Sequence, residues 1–138
     1  MVQATSGTPY VGPILVENNT IIGGSIQGVI TNILSNGIYV FGITMRDVTI
    51  RNNVITRTAQ SGIRIEGTGI KVIDNRLTDV GGGGIQGFVV LATNSQIINN
   101  SLTYSGSGPV DGTMLILPGS KGNIYRNNSG FTLSGAVH

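Results

Sequence analysis

The sequence predicts an all-β chain wound as a solenoid, and three observations carry that reading. β-Branched residues and glycine dominate: among 138 residues, 19 are Ile, 13 Val, 14 Thr and 22 Gly, against 4 Ala. That balance suits pleated strands and tight turns and does not suit a helical bundle. One short pattern centred on paired asparagines recurs five times, and a second strand-like segment follows most of those pairs. Disorder is excluded by the high apolar content and a net charge of only +2.

The recurring segments are ILVENNTI (14–21), VTIRNNVI (48–55), IKVIDNRL (70–77), SQIINNSL (95–102) and NIYRNNSG (123–130). Aligned on the second residue of each pair, they place Asn19, Asn53, Asn75, Asn100 and Asn128 in one column, with steps of 34, 22, 25 and 28 residues. Three positions earlier stand Val16, Ile50, Val72, Ile97 and Tyr125. Two positions later stand Ile21, Ile55, Leu77 and Leu102, and Gly130 breaks that set. A strand-rich repeat of 22 to 28 residues without helical periodicity implies a β-solenoid of about five coils. The longer steps place loop insertions at about 22–36 and 104–112.

The second strands are NGIYVFG (36–42), SGIRIEG (61–67), GGIQGFVVLA (83–92) and GTMLILPG (112–119). Alternation turns Ile38 and Val40 inward, then Ile63 and Ile65. A glycine ahead of the first three marks a sharp turn. The run from Gly81 to Gly84 reads as a turn, because no Lys-Ser/Thr follows it and no helix starts there.

Stacked coils explain the asparagines. Equivalent residues of adjacent coils lie ~4.8 Å apart, and an amide both donates and accepts. A column of amides therefore bonds along the stack and to the turn backbone, and Asn tolerates left-handed geometry. The glycosylation-like Asn-x-Ser/Thr matches at Asn18, Asn99 and Asn127 arise from the repeat itself.

The V-x-I-x-N-N-x-I unit followed by a G-I-x-I strand resembles the right-handed parallel β-helix of the pectate-lyase-like superfamily, over about 14–130. The resemblance implies one right-handed parallel β-helix domain over 1–138, with an irregular segment at 1–12 and a C-terminal tail at 131–138. It leaves function open, since that superfamily holds lyases, hydrolases, epimerases, tailspikes and adhesins. Catalytic members are typically longer and capped. The chain is therefore expected to be a fragment of a larger protein or one protomer of an oligomer.

Bulk properties narrow the partners. Cysteine is absent, which excludes disulfides and thiolate metal sites. No apolar run approaches the ~20 residues of a membrane helix, and residues 1–4 lack the features of a signal peptide. The cations are scattered singly between Arg46 and Arg126 without a basic stripe, so neither nucleic acid nor membrane is expected. The lone His138 is terminal. No metal or other cofactor is expected.

Outward positions on the second strands form the working face. Tyr39 and Phe41, then Arg64 and Glu66, then Gln86 and Phe88 would stack on successive coils. Aromatic rings beside cationic and amide groups suit a sugar. Read as an enzyme, the same face offers Glu66 and Asp111 as acids, with Arg64 as a substrate clamp. A glycosidase needs two carboxyls ~5–9.5 Å apart, and the six acids are dispersed. On a neighbouring strand, Ile73 and Ile98 take outward positions equivalent to Glu17, Arg51 and Arg126. They expect a buried contact, which a homotrimer of the tailspike kind would supply. The leading reading is a tailspike or fibre-like module contacting host surface polysaccharide on a virion or at an extracellular surface. The alternatives are a polysaccharide lyase, hydrolase or epimerase, and a structural stalk or adhesin.

Overall fold

The computed structural model describes residues 2–3, 13–23, 36–82, 86–106 and 111–135. Most of the segment 1–12 and of the insertion at 22–36, residues 107–110 of the insertion at 104–112, the end of the glycine run and His138 lie outside them. The described chain is strand and turn throughout. Among these residues no helix is long and apolar enough to cross a membrane.

Each coil contributes one strand to each of three sheets. The first sheet holds β1 (Val2–Gln3), β4 (Ile38–Phe41), β7 (Ile63–Thr68), β10 (Phe88–Thr93), β13 (Thr113–Ile116) and β15 (Thr132–Gly135). The second holds β2 (Ile14–Glu17), β5 (Val48–Arg51), β8 (Lys71–Ile73), β11 (Gln96–Ile98) and β14 (Ile124–Arg126). The third holds β3 (Thr20–Ile22), β6 (Val54–Thr56), β9 (Arg76–Thr78) and β12 (Ser101–Thr103). Every pairing is parallel. The fold is thus a parallel β-solenoid. Against the five coils that the repeat implies, three are continuous (β4–β6, β7–β9 and β10–β12), with partial coils at either end.

Alternation fills the interior. Val40, Ile65 and Val90 from the first sheet, Ile50, Val72 and Ile97 from the second, and Ile55 and Leu77 from the third are fully or almost fully buried in one core. The residues of the second and third sheets are the columns that the repeat placed three residues before and two residues after each ladder asparagine. The expected outward positions on the second sheet also hold, since Glu17, Arg51, Ile73, Ile98 and Arg126 stand in one register.

The corner between the second and third sheets is held by the asparagine column. Asn19, Asn53, Asn75 and Asn100 each donate from Nδ2 to the Oδ1 of the next ladder residue, at 2.9–3.0 Å. Each of the same four also donates its backbone N–H to that Oδ1. The second Nδ2 hydrogen of Asn53, Asn75, Asn100 and Asn128 goes to a carbonyl of the preceding coil, on Val16, Ile50, Val72 and Ile97. The left-handed residue is the other member of each pair. Asn18, Asn52, Asp74, Asn99 and Asn127 have φ of 53–57°, where a short polar side chain is tolerated. The ladder residues themselves take ordinary φ.

At the corner leading back to the first sheet, Asp79 is buried in a left-handed turn and accepts both the hydroxyl and the backbone N–H of Ser105. These bonds hold its carboxyl below the ordinary carboxylate range. The neighbouring glycine has a steric cause. A Cβ on Gly87 would lie 2.4 Å from the carbonyl oxygen of Asp111, so only glycine fits where adjacent coils approach.

Candidate functional site

The face expected to bind is the outer face of the first sheet. Tyr39 and Arg64 are register partners on β4 and β7, and Glu66 lies two residues beyond Arg64. These outward groups are turned onto one another. Glu66 is only 6% exposed, and its Oε1 accepts from the Tyr39 hydroxyl at 2.7 Å and from Arg64 Nη2 at 3.0 Å. Its Oε2 accepts from the backbone N–H of Gly42. The Arg64 guanidinium lies 4.9 Å from the centre of the Tyr39 ring, and Phe41 meets that ring edge-on at 5.3 Å. Both carboxylate oxygens are therefore occupied, and the arginine is held by an anion and a π face together.

Burial of Tyr39 and its hydrogen bond to Glu66 push its hydroxyl up to about 12, with Arg64 opposing the shift. The folded protein holds this proton more tightly than the unfolded chain, whose tyrosines ionise near 10. This contribution to stability is complete below pH 10 and is lost as the pH rises to about 12. Melting temperatures taken across that interval are expected to fall more steeply for the wild type than for Tyr39→Phe. Parallel slopes would show that this proton is not coupled to folding.

Three other candidates are placed differently. Gln86 is half-buried at the start of its coil, just before β10. Phe88 faces inward and is wholly buried: it is the register partner of Ile63 and Met114, and its ring meets Phe131 at 89° and 5.9 Å. This corrects its expected outward orientation. In GGIQGF the strand opens after Gly87 and not after Gly84, and this shift by an odd number of residues exchanges the two faces. The outward residues of β10 are Val89 and Leu91, partners of Arg64 and Glu66.

Asp111 does not join Glu66. Leu117 lies beyond Ile116, the partner of Val90, and so stands two coils from Glu66 in its column. Asp111 instead precedes β13, with Oδ1 accepting from the N–H of Thr113. Strand geometry puts the two carboxyls on the order of 15 Å apart, beyond the ~5–9.5 Å of a glycosidase pair. Among the described residues no three His, Asp or Glu side chains converge as a metal site.

An open concavity lies at the asparagine corner. A groove of about 460 Å³ runs along the outside of the turn, floored by Asn53 and lined by Asn52, Asp74 and Asn99 with Val54, Arg76 and Ser101 of the following strands. The second group is one register set. Three successive coils thus present an amide or carboxylate and, two residues on, a second side chain. Among the described residues, the side chains of Asn52, Asp74, Arg76 and Asn99 take no part in a hydrogen bond or ion pair. The inward ladder and the outward groove are built from the two members of the same residue pairs. Sequence reading used the ladder and passed over the groove. Its available signal was the first member of each pair, which is Asn or Asp and faces outward.

The groove can donate through a guanidinium and amides, accept through a carboxylate and amide oxygens, and offer one apolar contact at Val54. Asp74 and Arg76 lie in the middle coil, with amides on either side. No family model matches the chain, and no curated protein or solved structure does.

Proposed function

We propose that the chain is a polysaccharide-contacting module of a tailspike- or fibre-like protein, and that it holds glycan without turning it over. The observation that carries this reading is the groove of uncommitted polar side chains repeated over three coils. Carboxylate, amide and guanidinium groups are suited to the paired hydroxyls of a sugar, and their repetition at ~4.8 Å along the axis suits a polymer laid lengthwise. The enzymatic alternative is less well supported, since Glu66 is fully occupied and Asp111 stands far from it.

Binding to an array of acidic and neutral polysaccharides tests the proposal. Arg76→Ala and Asp74→Ala are each expected to weaken binding at least ~10-fold, the loss of one charge-assisted hydrogen bond. Arg76→Ala should melt like the wild type, because its side chain has no partner among the described residues, whereas Asp74→Ala should melt slightly lower, because alanine tolerates the left-handed φ of 56° there less well than aspartate. Binding that survives both changes and disappears in Arg64→Ala would move the site to the first sheet. Turnover abolished by Glu66→Gln would make the chain an enzyme, and no binding to any glycan would favour a stalk.

A further inference from the structure

The outer side of the asparagine corner is formed by two columns of side chains. The first runs Asn18, Asn52, Asp74, Asn99 and Asn127, all with φ of 53–57°. The second runs Thr20, Val54, Arg76, Ser101 and Ser129, in register from coil to coil. Each column is neutral except at one place, and both exceptions stand in the same coil. Asp74 is the single acid among four amides, and Arg76 is the single cation among hydroxyl and apolar side chains.

The fold requires neither charge. The left-handed turn accepts Asn at the other four rungs, and the column of Arg76 holds Thr, Val and Ser without a change of register. Both side chains are exposed, and no ion pair joins them to one another or to any described residue. They stand on either side of the inward Asn75, so their Cα atoms are no more than ~7 Å apart. Neighbouring charges do not line the groove. Arg51 is bound to Glu17 at 2.6 Å, and Arg57 lies beyond β6, where it acts on Asp79.

The groove therefore holds one carboxylate and one guanidinium on its middle rung, with amides, a hydroxyl and an isopropyl group on the rungs to either side. This pattern discriminates between polymers by charge. A polyanion would pair one group with Arg76, face repulsion from Asp74, and set its next anions against rungs that hold no cation. A polycation meets the mirror image of the same difficulty. A neutral glycan would be served as well by the amides and hydroxyls that fill these columns elsewhere.

We infer that the middle rung selects a zwitterionic glycan, one that offers an ammonium to Asp74 and a carboxylate or phosphate to Arg76 within the span of one rung. The inference rests on the groove being the glycan site and adds the charge class of the polymer. The planar guanidinium of Arg76 is suited to bidentate recognition of the anion. The amides of Asn52 and Asn99 serve the hydroxyls of the sugars before and after it. The two ligand charges can belong to neighbouring sugars or to one substituent of the phosphoethanolamine kind.

Binding to one type of backbone in different charge states tests this. The probes are hydroxyethyl cellulose, carboxymethyl cellulose, chitosan oligomers, partly carboxymethylated chitosan and phosphoethanolamine-substituted cellulose. All are compared at about pH 6, where carboxyls are ionised and most amines are protonated. At least one of the two zwitterionic polymers is expected to bind ~10-fold or more tighter than the neutral and single-sign polymers. Binding of carboxymethylated chitosan places the charges on the sugars, and binding of the phosphoethanolamine polymer alone places both on one substituent. Asp74→Asn restores the amide of its column and keeps the left-handed turn. It should shift preference towards carboxymethyl cellulose, and Arg76→Ser should shift it towards chitosan, each by about 10-fold. Melting temperatures should not change in either variant. Hydroxyethyl cellulose bound as tightly as the zwitterionic polymers, and weakened by Arg76→Ala and Asp74→Ala, overturns the inference and leaves the groove as the binding site. So does a wild-type preference for a polymer of a single sign. Binding to no polymer, or binding lost only in Arg64→Ala, removes the groove reading and the inference with it.

Discussion

Asn75→Ala is expected to lower the melting temperature by about 10–15 °C, the larger of the effects foreseen for a polar residue in this fold. Asn75 is wholly buried, and its Oδ1 accepts both the backbone N–H and the Nδ2 of Asn53. Its own Nδ2 donates to Asn100 Oδ1 and to the carbonyl of Ile50. Truncation leaves two donors and two acceptors of neighbouring coils short of a partner, where water cannot readily replace them. Each stranded buried group costs about 1–3 kcal/mol, and partial relaxation brings the sum to roughly 3–5 kcal/mol. For a chain of this size ~1 kcal/mol corresponds to about 3–4 °C. Asn19→Ala is the control. It removes the first rung of the ladder, whose Oδ1 accepts from no group among the described residues, and should cost about 1 kcal/mol. Asn75→Asp retains the acceptors but aims a carboxylate oxygen at Asn100 Oδ1 and the Ile50 carbonyl, so it should destabilise at neutral pH and recover on acidification. Equal melting shifts for Asn75→Ala and Asn19→Ala, read by circular dichroism, would refute a ladder whose bonds span coils.

The ladder was legible because its chemistry tolerates no substitute. Asn19, Asn53, Asn75, Asn100 and Asn128 must each donate and accept through one side chain, which an amide does and a carboxylate does not. The preceding position needs only a left-handed backbone, and there Asp74 stands among four asparagines. This contrast is present in the sequence. It assigns the left-handed turn to the first member of each pair, although the sequence reading credited that tolerance to the second.

The outer face of the first sheet was legible in direction and not in consequence. Alternation sends Tyr39, Arg64 and Glu66 outward. That Glu66 reaches back to Tyr39 depends on an offset of two residues between neighbouring coils, which no single strand displays. The corner groove was hidden for a similar reason. Its residues are unremarkable turn and strand positions until three coils lie in register, when uncommitted side chains on separate segments line one concavity. The register of β10 was misread because GGIQGF contains two glycines that can each open a strand. Close approach of the Asp111 carbonyl selects Gly87, and that contact exists only once the next coil is in place.

Phe88→Ala tests that register most directly, and its expected loss is about 3–5 kcal/mol, or roughly 10–15 °C in melting temperature. The ring lies between Ile63 and Met114 on the flanking strands and edge-to-face with Phe131. Its removal therefore opens a cavity in the core of a narrow coil with little freedom to collapse. Phe88→Leu, which refills most of that volume, should cost less than half as much. An outward Phe88 would instead give only a small change in melting temperature for either variant. The pair of measurements thus separates the two registers of β10, and with them the core face of the first sheet from its outer one.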